Sequence, residues 1–289
     1  MEEILRTRIA YNRGMVTAAV SLNKYLKILR ISLVERLTYR ADFFVATLFR
    51  FLPLVTSFLL WESIYANKPD DAEISGFTRD NMMAYLLLVQ ISRMFSSMPG
   101  LAGGIARDIR EGTLKKYLLQ PIDMVAYLLA YRGAHKIAYI VTSALPYGIL
   151  FVWFYNVFPP PPDALTWLAY GLSLAMGFLL GFFFEASIGM IGFWLLEVTS
   201  FLYIINTLTF FVSGHMFPLD FLPASAVSVL KVLPFQYLAY YPAMIYLGKI
   251  EGAELAQGLL VQAAWVLGLI VLSRFLYHRG LRHYSAYGG

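Results

Sequence analysis

The sequence has no cysteine, and only 14% of its 289 residues are charged. Without cysteine there is no disulfide scaffold and no thiolate-held zinc or iron–sulfur centre. Soluble domains carry roughly 25% Asp, Glu, Lys and Arg, so charge is scarce here. Disorder is excluded for the opposite reason. Disordered chains lack apolar surface to bury, whereas 59% of these residues are hydrophobic and the mean hydropathy is +0.62. The motifs G-x-x-x-x-G-K-[ST], G-x-S-x-G and H-E-x-x-H do not occur. The chain therefore has no phosphate-cradling loop, nucleophile elbow or zinc-protease helix of those forms. Carboxylates do not pair at a spacing that suggests acid–base work. His215 stands apart from His135, His278 and His283, so no metal site and no resident cofactor is expected. The net charge of +5 reads as membrane topology and contact with anionic lipid, not as nucleic-acid binding.

What the chain has instead is long apolar runs. A membrane-spanning helix needs about 20 mostly apolar residues. Residues 43–66, 81–99 (interrupted by Arg93), 124–157 and 254–277 each meet that length. Residues 164–217 are long enough for two spans with a turn between them, and Glu197 marks that turn because a charge deep in lipid is costly. The expected fold is all-α and polytopic, with six transmembrane helices in one domain over residues 1–289. Its parts are a cytoplasmic or interfacial segment (1–40), the bundle (41–278) and a tail (279–289). Residues 1–40 carry eight Lys/Arg but no signal-peptide core. Within them, 21–40 sets Leu22, Leu26, Leu29, Leu33 and Leu37 at three- and four-residue steps between basic residues, the pattern of a helix lying in the membrane interface.

Lys and Arg collect on the cytoplasmic side of a membrane protein. With six spans, one side receives the basic N-terminus, Arg107, Arg110, Lys115, Lys116, Arg274, Arg279 and Arg282. The other side receives Lys68, Arg79, Lys231 and Lys249. Both termini are therefore expected in the cytoplasm. Residues 218–249 could pass for a seventh span, but Pro223, Pro234 and Pro242 divide them, and proline breaks a helix interior. Two short re-entrant helices on the outer face fit better. The run Pro159–Pro162 forms a stiff outer connector. Trp61, Tyr65, Trp153, Tyr155, Trp167 and Tyr170 fall near the outer boundary, as an aromatic belt would. Glu62, Arg50 and Arg93 sit where long side chains can reach an interface. Glu185 is the clearest intramembrane acid. It is a candidate for the pathway or an inter-subunit contact, or else a structural carboxyl paired with a neighbouring helix.

The segment 101–124 is the most informative. Gly103 and Gly104 precede a short charged stretch with Arg107, Asp108, Arg110, Glu111, Lys115 and Lys116, punctuated by Gly112 and stopped by Pro121. Mixed charges on a short helix suit docking to another protein, or a solvated loop facing lipid headgroups. The run IREGTLKKYLLQPI resembles the cytoplasmic loop of ABC-2 type exporter permeases. A second resemblance runs through Ser213-Gly214, Phe217-Pro218, Leu222-Pro223 and Pro234 with Tyr237. In order and spacing these are similar to that family's re-entrant segment and outer gate, and the likeness covers nearly the whole chain.

The resemblance implies a transmembrane permease subunit that is not itself an enzyme. ATP and Mg would be bound by a separate ABC ATPase. A coupling helix over about 105–116 would seat on that subunit, with Arg107, Asp108, Arg110, Glu111, Gly112, Thr113, Leu114, Lys115, Lys116 and Pro121 in the contact region. A second permease, as homodimer or heterodimer, would complete the pathway in a bacterial inner membrane, with lipid around it and no nucleic acid. Two other functions are weighed against this. An ion-driven secondary transporter or channel predicts repeated halves and several mid-membrane charges. A lipid-modifying enzyme predicts a cluster of His, Asp or Glu at one interface. Neither pattern stands out in the sequence.

Overall fold

The computed structural model describes residues 23–35, 40–69, 72–159, 163–195 and 198–284. Glu197, Pro160–Pro162, residues 1–22 and the Arg50 side chain lie outside the described residues. The described chain is helical and carries no strand. Its helices are α1 (23–35), α2 (Arg40–Tyr65), α3 (Arg79–Ser96), α4 (Leu101–Arg110), α5 (Lys115–Leu118), α6 (Met124–Trp153) and α7 (Ala164–Met190). They continue with α8 (Thr199–Val212), α9 (Ala224–Val232), α10 (Tyr240–Tyr246) and α11 (Gly252–Leu281). Among the described residues, Met124–Trp153, Ala164–Phe193 and Gly252–Leu281 are long and apolar enough to cross a membrane. Phe51–Tyr65 and α8 are apolar but shorter.

Two compact units are present, residues 1–45 with 116–144, and residues 46–115 with 145–289. In the first unit, α1 is tied to the approach of α6. Lys24 Nζ donates to the Pro121 carbonyl (2.6 Å), and the Asp123 amide donates to Tyr25 Oη (3.1 Å). Asp123 in turn caps α6 by accepting from the Ala126 amide at 2.8 Å. Leu26, Ile31 and Val34 of α1 are exposed, while Leu29 lies against Gly133 of α6. Lys136, in the first half of α6, is buried.

In the second unit α7 is the axis. It packs against α11, α4, α3 and α10. Small residues bring it close: Gly181 lies against the backbone of Ser96 in α3, and Gly189 against Ala102 in α4. Helices in lipid gain by such approach, since apolar burial offers little there. A reciprocal buried pair joins α7 to α11. Ser173 Oγ donates to Gln262 Oε1, and Gln262 Nε2 donates to the Ser173 carbonyl, both at 2.9 Å. Asp163 caps the N-terminus of α7 by accepting from the Thr166 amide (3.2 Å) and hydroxyl. The break between the two helices of 164–217 falls beyond the turn Ile191–Phe193.

The aromatic belt divides. Trp153, Tyr155 and Trp167 are exposed, but Trp61, Tyr65 and Tyr170 are buried. Tyr65 Oη donates to the Phe77 carbonyl at 2.7 Å, and Trp61 meets Phe221 edge-on at 5.2 Å. An aromatic ring serves a core or a boundary equally well, so position in the sequence does not separate the two roles. Phe182 and Phe183 are core residues as well.

Candidate functional site

α4 is held by its apolar face. Leu101, Ala102, Ile105, Ala106 and Ile109 recur at helical spacing and are buried. They pack on α7 and the turn that follows it. The opposite face presents Arg107, Arg110 and Glu111 to solvent. The stretch 105–116 is not one continuous helix. α4 ends at Arg110, and Gly112 takes a left-handed φ of +71°, which glycine adopts without steric cost. Asp108 closes the turn. Its Oδ1 accepts from Thr113 Oγ1 (2.8 Å) and its carbonyl accepts from the Leu114 amide (2.9 Å). Leu114 is fully buried and anchors the far side of the turn. Lys115 and Lys116, at the start of α5, are exposed, as are Leu118, Leu119 and Pro121. Charges of both signs thus stand on a turn braced by one carboxylate and one buried leucine, a platform suited to a complementary surface.

The segment after α8 departs from a continuous spanning helix. α8 stops at Val212, and its 14 residues rise only about 21 Å at 1.5 Å each. The chain then passes through turns at 213–217 and a single tight helical turn, Leu219–Phe221. Phe210 lies under the Arg93 guanidinium (5.3 Å), the Gly214 carbonyl accepts from Tyr85 Oη (2.5 Å), and Phe221 meets Phe77 (6.0 Å). Ser213, Gly214, Pro218 and Leu219 are buried, and the Ser213 carbonyl accepts from the Tyr240 amide at 3.1 Å. Non-helical backbone at membrane depth is tolerated where protein covers it and satisfies it. Phe217 is half-buried on the same strand of chain. Leu222 and Pro223 lead into α9, and buried Pro234 opens the turn before α10.

Glu185 of α7 lines a cavity of about 200 Å³ with Arg93, Asn206, Thr209 and His215. Arg93, near the end of α3, and His215, just beyond α8, meet at this cavity. His215 Nδ1 bonds to Ser213 Oγ, and that hydroxyl donates to the Phe210 carbonyl at 3.3 Å. His215 Nε2 is buried and has no partner among the described residues. The sequence signal for this group was the polar cluster Asn206, Thr209 and His215 within an apolar run. Among the described residues, no group of His, Asp or Glu could hold a metal ion.

No curated protein matches the chain. The family model described as ABC-2 family transporter protein matches residues 51–288. The chain belongs to the ABC-2 transporter family and is a permease component of an ABC transporter.

Proposed function

We propose that this permease works as an exporter subunit driven by a separate ATPase that seats on the turn 105–116. The observation that carries the reading is the bracing of that turn. Asp108 and Leu114 hold it from inside, so that Arg107, Arg110, Glu111 and Lys115 remain exposed for a partner. Movement of α4 reaches α7 directly, because Gly189 and Gly192 bring α7 and its following turn against Ala102 and Ala106. A push on α4 would therefore act on the helix that carries Glu185.

In this reading the chain crosses the bacterial inner membrane six times, with both termini in the cytoplasm. α2, α3, α6, α7, α8 and α11 are the spans, and α9 with α10 form the outer re-entrant pair. A second permease, identical or homologous, completes the pathway. Glu185 and the cavity around it line that pathway; the reading is supported by the cavity, shared with Arg93, Asn206, Thr209 and His215, onto which this intramembrane acid opens. ATP and Mg belong to the partner. The test is purification of the tagged full chain from native membranes. ATP hydrolysis should accompany the wild type, and the double reversal R110E/E111K should lose it while the permease itself still folds. Undiminished ATPase recovery with the reversed charges would overturn the docking assignment.

A further inference from the structure

α8 is set apart by how little of it this chain covers. None of its 14 residues is fully buried, whereas α3, α4 and α7 each bury a face. Leu202, Ile205 and Thr209 are half-buried, and Leu202 lies against Gly103 of α4. The exposed side carries Thr199, Ser200, Tyr203, Asn206 and Thr207 among its apolar residues. Thr199, Tyr203 and Asn206 follow one another at helical spacing and form one seam. α11 shows what a lipid-facing side of this protein looks like. Leu260, Leu267, Val271, Leu272 and Phe275 are exposed there, and no polar side chain is exposed between Leu260 and Phe275. The seam of α8 is different in kind. Thr207 Oγ1 donates to the Tyr203 carbonyl at 2.9 Å, but the Asn206 carboxamide makes no hydrogen bond among the described residues. Gln262 of α11 marks the contrast, since it is buried and spends both its oxygen and its nitrogen on Ser173.

A carboxamide in hydrocarbon loses the hydrogen bonds that water would give it, so the seam needs a polar neighbour. The seam bears no formal charge, and nothing in it repels its own image. At a two-fold axis a residue meets its own copy. A carboxamide has an acceptor oxygen and a donor NH₂, so two of them satisfy each other reciprocally. Asn206 also lines the cavity of Arg93, Glu185 and His215, and that cavity opens where Asn206 and Arg93 are exposed. Its wall is therefore incomplete in one copy. We propose that α8 pairs with α8 of a second copy of this chain about a two-fold axis along the membrane normal. Asn206 bonds to the partner's Asn206, and the two cavities face each other across the seam. The proposal deepens the function proposed above and rests on its reading that a second permease completes the pathway, here an identical one.

The chain has no cysteine, so N206C places one thiol on each copy. In native membranes a short bis-methanethiosulfonate should convert N206C into a species of twice the mass, and mass spectrometry should find this chain alone in it. V271C, exposed on α11, should give no such species. Self-association is then followed by energy transfer between full chains fused to two fluorescent proteins, in detergent micelles. N206L should weaken it roughly tenfold, the scale of two interhelical side-chain bonds in a membrane, with helix content by circular dichroism unchanged, and N206Q should restore most of it. No dimer from N206C, an equal yield from V271C, an adduct with a different permease, or undiminished association of N206L would each overturn the proposal. An adduct with a different permease would do so while leaving the two-permease pathway standing. Neither measurement depends on an ATPase, so failure here is distinct from a failure of ATPase docking.

Discussion

Alanine at Gly181 should destabilise the protein, although alanine is the better helix former. The new Cβ would stand 2.0 Å from the Ser96 carbonyl oxygen and 2.9 Å from its carbonyl carbon. Both atoms are backbone, so no rotamer change relieves the overlap and α3 or α7 must move. Overpacking of this kind costs about 1–3 kcal/mol. The helix gains about 0.5–1 kcal/mol from replacing glycine by alanine, so a net loss of roughly 1–2 kcal/mol is expected. Gly171 lies in the same helix, and its added Cβ would meet nothing within 4 Å. G171A should therefore collect the propensity gain alone. Thermal unfolding of both purified variants in the same micelles measures the contrast. G181A should melt lower, by roughly 2–8 °C on the usual size scaling, and G171A at or above wild type. Shifts of the same sign and size in both would refute the close approach of α7 to α3.

Y85F removes the bond from that hydroxyl to the buried Gly214 carbonyl and should cost about 1–3 kcal/mol, read as a lower denaturation midpoint. Asp163 is held below the usual carboxylate range by its bonds from the Thr166 hydroxyl and amide. Its capping contribution is therefore present above the ordinary Asp pKa of about 4 and fades as the pH falls through the lower folded value. D163A should melt below wild type at neutral pH, and the gap should close on acidification, while D163N keeps most of the cap. Because the chain has no cysteine, single cysteines report topology without background. In oriented vesicles N67C and K68C should react with an impermeant maleimide from outside, and R107C only from the cytoplasmic side.

Much of this architecture was legible in composition and run length. The ends of α2, α3 and α11 fall close to the apolar runs 43–66, 81–99 and 254–277. Hydropathy reports what surrounds a residue and not its backbone conformation, so the run 164–217 concealed the end of α8 at Val212. The turns beyond it bury Ser213, Gly214, Pro218 and Leu219 without a continuous helix. Gly214, at φ +81°, and Pro218 were the local signs of that change. The turn at Gly112 was visible as a punctuating glycine, but its bracing by Asp108 was not, because Thr113 and Asp108 meet only once the chain has reversed. The meeting of Arg93, Glu185 and His215 at one cavity depends on three separate helices and their relative heights. No single segment encodes that. Trp61 and Tyr65 fit a belt by sequence and a core by structure, because an amphipathic ring suits either.

An ATPase that delivers its work at the turn closed by Gly112 must come within reach of that turn. The most direct measurement is a site-specific cross-link from E111C, the sole cysteine of the full-length chain, in native membranes. A short thiol-to-amine reagent should yield one major adduct, and mass spectrometry of that adduct should identify a subunit carrying G-x-x-x-x-G-K-[ST]. K68C should give no such product. An E111C that cross-links only to lipid or to the permease itself, in membranes where the ATPase is present, would rule out docking at this turn.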